Sequence, residues 1–291
     1  MKKIAILGCE NSHANAFLKY IKEKKEFSDI EVVGIYSDEA EPCEKLANEF
    51  GVRIMSSYDE AVGRIDGLVV TARHGDNHYK YAKPYIESSI PMFIDKPITV
   101  NEDEALEFMR ALKSAGVRVT GGSSLRHDAF VRELRDDAVG GIDGGTLGGF
   151  VRAPLNSKNA YGGFFFYAQH LVEIVCEIFG RYPRTVRTSV SGDKTTVIFR
   201  YDDYDCVGLF VEGNNLYYAC RMSEKRCKGG DLKKNDINDW YYMEFSEFYR
   251  LLNGEDQELS YDDFISPVFI MNAIYRSLES GNEEKVREYK V

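Results

Sequence analysis

The chain has 291 residues, and none of its apolar runs approaches the roughly 20 residues needed to cross a bilayer. Positive charge is scarce. Against 47 Asp and Glu stand 37 Lys and Arg, a net charge of −10, which excludes the electrostatic footprint of a nucleic-acid or anionic-membrane binder. The six cysteines, Cys9, Cys43, Cys176, Cys206, Cys220 and Cys227, form no Cys-x-x-Cys pair, and no histidine stands at zinc-finger spacing from them. They read as free thiols of a reducing compartment. There is no internal repeat. The opening Met1-Lys2-Lys3-Ile4-Ala5-Ile6-Leu7 is too short in apolar residues for a secretory leader, and no small-residue cleavage site follows. It reads as a first strand, and the expected setting is the cytoplasm.

What the chain does have is Pro91-Met92-Phe93-Ile94-Asp95-Lys96-Pro97, an apolar run ending in acid, lysine and proline. The run predicts a buried parallel strand stopped by Pro97. A lysine at the carboxyl end of such a strand points into the crevice where open α/β sheets bind ligands. There it can serve an oxygen that changes charge.

By length the chain predicts about two domains. The first 122 residues alternate strand and helix. Strands are expected at Lys3–Leu7, Glu31–Tyr36, Arg53–Met55, Ile65–Thr71, at the Lys96 run, and at Val117–Thr120. Helices are expected with Ala14, Phe17, Leu18 and Ile21 on one face, with Cys43, Leu46, Ala47 and Phe50 on another, at His78–Glu87, and at Glu102–Ala115 behind Thr99 and Asn101. This alternation predicts a doubly wound parallel sheet with right-handed crossovers. From 123 to 291 the texture changes to alternating strands, Thr195–Tyr201, Cys206–Glu212 and Leu216–Met222, with helices at His170–Phe179 and Phe264–Leu278. That predicts an α+β domain, a mostly antiparallel open sheet with helices on one face. The tail helix, 264–279, is expected to pack back on the first domain. The polar stretch Lys225–Asn238 reads as an exposed loop.

Five segments together resemble the Gfo/Idh/MocA family, the glucose–fructose oxidoreductase, inositol dehydrogenase and rhizopine-catabolism oxidoreductases. They are Ile4-Ala5-Ile6-Leu7-Gly8; Val32–Val52; Thr71 to Pro97, with His78 eighteen residues before Lys96; Gly162-Gly163 to His170-Leu171-Val172-Glu173 and Phe179-Gly180; and the tail from Asn272 to Gly281. The resemblance covers nearly the whole chain. It implies a Rossmann domain at 1–122, a substrate and oligomerisation domain at 123–291, and NAD or NADP as cofactor. In that family the acid–lysine–proline lysine assists hydride transfer at a sugar or polyol carbon. Lys96 takes that role by resemblance, and His170 that of the histidine relaying the proton. The chemistry is sound, because oxidising an alcohol needs a base for its hydroxyl proton while hydride leaves for the nicotinamide.

The cofactor side departs from the family pattern. Gly-x-Gly-x-x-Gly has become Gly8-Cys9-Glu10-Asn11-Ser12-His13, with only Gly8 kept. Glu10 sets a carboxylate where phosphates approach. Pointing inward it repels them, and pointing away it leaves the helix-start N–H groups usable. Ser12 can cap the helix or meet a phosphate, and His13 partly compensates the charge. Ser37 stands where an acid grips the adenosine ribose, with Asp38 next to it. Ser37 tolerates a 2′-phosphate and Asp38 opposes one, which tilts the balance to NAD. Thr71, His74, His78 and Asp95 complete the expected cofactor set. His74 and His78 are four apart, a metal-sharing spacing, yet no third ligand is near in sequence and no metal is assigned.

On the substrate side, Phe166 replaces the aspartate many relatives carry four residues before the histidine. Tyr167 or Gln169 takes over its hydrogen bonds. Arg126 either holds a substrate or pairs with Asp128 or Glu133 at the surface, and Tyr161 flanks the pocket with Tyr167. Glu173 either orients His170 or faces solvent. Tyr217-Tyr218 and Tyr241-Tyr242 read as sheet and interface residues.

The resulting expectation is an NAD(P)-dependent oxidoreductase of a sugar, polyol or related hydroxylated small molecule. It works as a homo-oligomer, dimer or tetramer, joined through the outer face of its open sheet. The rivals are a relative that binds a small ligand without redox turnover and a non-redox enzyme on the same scaffold.

Overall fold

The computed structural model describes residues 1–233 and 239–291. Two compact units result. The first is Met1–Gly122 with Tyr241–Phe264 and Val291; the second is Ser123–Trp240 with Ile265–Lys290. Among the described residues, no helix is long and apolar enough to cross a membrane.

The first unit runs β1 (Lys2–Leu7), α1 (Ser12–Glu23), β2 (Ile30–Tyr36), α2 (Ala40–Phe50), β3 (Gly67–Val70), α3 (Asp76–Ala82), β4 (Met92–Asp95), α4 (Glu102–Ser114) and β5 (Val119–Gly122). Its five strands are all parallel, in the order β2-β1-β3-β4-β5. Strand order reverses between β1 and β3, and the crevice beyond their carboxyl ends is where open α/β sheets take ligands. The strands are apolar because helices cover both faces: Ile4 to Leu7, Leu68 to Val70 and Met92 to Ile94 are fully buried. Asn11 caps α1, accepting from the His13 N–H, and Asn101 caps α4 through the N–H groups of Asp103 and Glu104. The cap of α1 is thus Asn11 rather than Ser12. At Arg53–Met55 the expected strand shrinks to a single bridge, Ile35 to Ile54, outside the edge strand β2. The helix expected at His78–Glu87 is α3 followed by a 3₁₀ turn, Lys83–Ser88, that opens on Pro84.

The second unit contains α5 (Ala129–Val139), β6 (Thr146–Leu155), α6 (Phe164–Phe179), β7 (Thr185–Ser191), β8 (Lys194–Arg200), β9 (Asp205–Glu212), β10 (Tyr217–Ser223) and β11 (Cys227–Leu232). With β12, introduced below, it forms a seven-stranded sheet in the order β11-β10-β6-β9-β8-β7-β12. Only β6 and β9 pair in parallel. Strand β11 corrects the loop expected at 225–238. Its Gly-rich, charged composition is that of a solvated edge strand, and it pairs with β10 from Tyr217–Leu232 to Met222–Cys227. The rest of that expected loop, 234–238, lies outside the described residues. One sheet face packs on α6, where Leu171, Val172 and Val175 meet Val151, Phe199 and Phe210 in a single core. On the other face Phe150, Val207 and Ile198 lie side by side across β6, β9 and β8, each only partly covered.

The chain closes with α7 (Trp240–Leu252), α8 (Tyr261–Ser280) and β12 (Glu283–Lys285), which pairs with β7. Here the expected domain boundaries need correction. The apolar stripe of the tail helix demanded a partner without saying which, and Ile270, Met271, Ala273 and Ile274 of α8 are built into the second unit's core. The returning segment that packs on the parallel sheet is α7, placing Tyr241 and Tyr242 on a helix rather than in a sheet. Its Phe245 and Phe248 are fully buried against Phe17, Phe27 and Phe93. Truncating either to alanine would cost about 3–5 kcal/mol.

Candidate active site

The turn after β1 is built around Gly8. Its φ is +102°, and a Cβ there would lie 2.1 Å from the Ala72 nitrogen. Only glycine fits between this turn and the segment after β3. The Thr71 hydroxyl donates to the Gly8 carbonyl at 2.7 Å, tying the two strand ends together. Glu10 turns inward. Its Oε2 accepts from the Ser37 hydroxyl at 2.6 Å and its Oε1 from the Arg73 N–H at 3.0 Å. The carboxylate thus bridges the ends of β2 and β3 across the crevice, and Ser37 spends its hydroxyl on it. Asp38 is half exposed and accepts from Tyr36 and Lys80. Ser12 lies 3.2 Å from the Tyr241 hydroxyl.

A second cluster forms where β4 ends. Lys96 is 4% exposed at the expected strand end. Burial pulls its ammonium below the usual lysine range, while Asp95 and Glu244 act in the opposite sense. Asp95 is fully buried and accepts from the Asn11 amide at 2.5 Å and from the Lys96 N–H at 2.7 Å. Burial raises its carboxyl to about 6, against the pull of His13 and Lys96. His13, at the third-glycine position, lies with Nδ1 3.2 Å from Asp95 Oδ2 and Nε2 3.2 Å from Glu244 Oε2. These three residues each bring a ligand-type atom within 4.8 Å of the others. The ring, however, lies between the two carboxylates with one nitrogen toward each, and its Nδ1 is also 3.1 Å from Asn11 Oδ1. A cation would need one ring nitrogen and both acids turned to a common point.

His74 and His78 do not converge. His78 is fully buried, with Nε2 2.7 Å from the Ala72 carbonyl and Nδ1 3.3 Å from that of Ile98. Burial lowers its pKa, and the ring lies between the loop after β3 and the loop after β4. His74 Nδ1 accepts from the Asp76 N–H at the start of α3.

In the second unit, His170 lies in α6, 8% exposed, with Nδ1 2.7 Å from the Ser123 hydroxyl. Glu173 neither faces solvent nor bonds His170. Buried, it accepts from the Ser123 N–H and from the Gln169 amide, and burial raises its pKa. Gln169 therefore does not present its amide to a substrate; it is fully buried and holds this carboxylate. Arg126 is buried as well, its Nε 3.5 Å from Glu177. Asp128 caps α5 and accepts from Trp240. Tyr161 and Tyr167 remain partly exposed on either side of the buried Phe166 ring, and Tyr167 packs beside His170.

A dinucleotide has a frame to bind in. The first turn of α1 carries no acidic side chain, its N–H groups open toward the crevice end of the sheet, and Lys45 and Arg73 line an adjoining cavity of about 540 Å³. Glu10, Glu39 and Glu41 are the dissonant groups in that cavity. Residues 2–123 match the model of the Gfo/Idh/MocA oxidoreductase family, NAD-binding Rossmann fold. That stretch, rather under half of the chain, is similar in sequence to the family's NAD-binding domain. The chain is 26% identical over 190 residues to the uncharacterized oxidoreductase YhhX of Escherichia coli, covering 61% of this chain and 53% of that one. It is 25% identical over 197 residues to the glucose-6-phosphate 3-dehydrogenase of Bacillus subtilis, covering 62% and 54%. The matches thus span about half the length of these curated relatives. In fold it resembles the scyllo-inositol dehydrogenase from Lactobacillus casei solved with NAD(H) and scyllo-inositol, with a TM-score of 0.83 at 14% identity over 98% of this chain and 99% of that one.

Ser123 and Glu244 were not anticipated from sequence. Ser123 follows the Gly121-Gly122 pair that ends the parallel sheet, a signal for a unit boundary but not for a partner of His170. Glu244 had a weak signal, an acid one helical turn before Phe248 in an aromatic-rich stretch.

Proposed function

We propose that the chain is an NAD(P)-dependent oxidoreductase acting on a sugar, polyol or related hydroxylated small molecule. The observation that carries this reading is a buried lysine, Lys96, at the ligand end of β4, within a unit of the NAD-binding family. When bound, the nicotinamide takes up or delivers the hydride. The Gly8 turn, the N–H groups opening α1, Lys45 and Arg73 would hold the phosphates, and Asp38 beside Ser37 favours NAD over NADP. Lys96, pulled down by burial, would hydrogen-bond the reacting oxygen and exchange a proton with it. His170, set by Ser123, would relay the proton. Tyr161 and Tyr167 would stack on a sugar ring, while Arg126 and Gln169 support the pocket wall from inside. A second copy would cover the Phe150, Val207 and Ile198 face.

The test is a panel of sugars, polyols and their phosphates assayed with NAD and NADP. Turnover of one member, lost in Lys96→Ala, supports the reading. Its defeat would be cofactor binding without turnover across the panel.

One observation favours a second reading, a ligand binder without redox turnover. The inward Glu10 carboxylate adds a negative charge to the phosphate site, a repulsion of about 1 kcal/mol or more where solvent screening is poor. Failure to bind NADH or NADPH in fluorescence titration would select it.

A further inference from the structure

We propose that Cys9 and Cys43 are a redox-active pair, closed to a disulfide by a small neutral peroxide. The inference stands whether or not a dinucleotide binds. The two sulfurs lie 3.0 Å apart, the Cys43 thiol donating to Cys9, and Cys9 in turn faces the Tyr36 carbonyl at 3.5 Å. A disulfide spans about 2.05 Å, so the sulfurs need approach by only about 1 Å. They belong to different elements, Cys9 to the turn after Gly8 and Cys43 to the first turns of α2. The contact with Cys9, which becomes the donor once Cys43 has lost its proton, lowers Cys43 and pushes Cys9 up. The other cysteines lack such a partner among the described residues. Cys176 and Cys206 are buried thiols that desolvation pushes up, to about 12 for Cys176; Cys220 is half-buried, raised by burial and by Cys227, which is exposed.

Access decides the oxidant. Cys9 and Cys43 are 4% and 2% exposed, but Cys9 lines the 540 Å³ cavity with Glu10, Glu39 and Glu41. The burial of both sulfurs keeps bulky disulfides out, whereas hydrogen peroxide is small and uncharged. The Cys43 thiolate attacks one peroxide oxygen, the O–O bond breaks, and the departing hydroxide takes up the proton Cys43 released. Cys43 is then a sulfenic acid. The Cys9 sulfur attacks the Cys43 sulfur, the S–O bond breaks, and water leaves with the Cys9 proton. Two thiols and one peroxide give one disulfide and two waters. The product clamps the turn after β1 to α2.

The experiment treats the full chain with a few equivalents of hydrogen peroxide, alkylates it, digests it without reduction and maps the peptides by mass. A Cys9–Cys43 cross-linked peptide lighter by two hydrogens is expected. It should form about tenfold faster than Cys227 oxidises and vanish with dithiothreitol. In Cys9→Ala, Cys43 should accumulate a dimedone-trappable sulfenic acid, and Cys227→Ser should leave the cross-link intact. Recovery of Cys9 and Cys43 as alkylated thiols while Cys227 is oxidised overturns the proposal. So does absence of a dimedone adduct on Cys43 in Cys9→Ala.

Discussion

Glu244 Oε2 lies 3.2 Å from His13 Nε2, which joins the middle of α7 to the first turn of α1. The family turn has glycine where His13 stands, so the larger side chain had to be given an interior partner. It has two, Glu244 on one nitrogen and Asp95 on the other. With Lys96 beside them, two buried acids meet two basic side chains.

Removing one member should therefore be costly. Glu244→Ala should lose about 3–5 kcal/mol of stability, the penalty for stranding a buried charge. Glu244→Gln, which keeps an acceptor, should lose less. The His13→Gln, Glu244→Gln double variant should lose less than the sum of its single changes. Urea unfolding reads all four values; strict additivity would show that the pair is not coupled.

Asp95 gives a pH prediction. Its folded value is about 6 against an ordinary 3.8. The folded state holds this proton more tightly than the unfolded chain, so stability from this group falls as pH rises through the window between those values. Wild type should lose about 2 kcal/mol relative to Asp95→Asn between about pH 4.5 and 7. Parallel urea titrations at the two pH values check it. A constant gap means an ordinary carboxyl.

Glu10→Gln keeps the shape of the turn and removes its charge. NADH should bind several-fold more tightly, as expected for relieving a repulsion of about 1 kcal/mol or more. Fluorescence titration measures it. Unchanged affinity would mean that the carboxylate lies outside the field of the phosphates.

Lys96→Ala and His170→Ala should lower turnover by about 10²–10⁴ while shifting cofactor Kd little, because the groups act where charge changes. His170→Ala should also lose one limb of the pH–rate profile. Near-wild-type rates in both variants would remove these residues from the chemistry.

Val207→Glu places a charge in the middle of the Phe150, Val207 and Ile198 row. Sedimentation should then report a 33.1 kDa monomer where wild type sediments as a larger species. A monomeric wild type would leave this face without a partner.

Strand and helix alternation in the first unit was legible because a sheet covered on both faces writes itself as bare apolar runs, as Gly67 to Val70 does. Lys96 was legible for the same reason, a charge closing such a run. The partner of the tail helix was not legible. Periodicity reports that α8 has an apolar stripe but is silent on which sheet receives it. Strand β11 escaped because an edge strand with solvated faces has the composition of a loop. The inward turn of Glu10 depended on Ser37 and the Arg73 N–H, which are remote in sequence and meet only once β2 and β3 flank β1.

The first unit takes Tyr241–Phe264 into its body, more than a hundred residues after β5 ends. During synthesis its sheet therefore leaves the ribosome before Phe245 and Phe248 exist to cover it. Ribosomes add about 5–20 residues per second, so that apolar surface waits on the order of ten seconds for its lid. A nascent chain arrested near residue 200 should be a strong chaperone client, and one released past residue 264 should not.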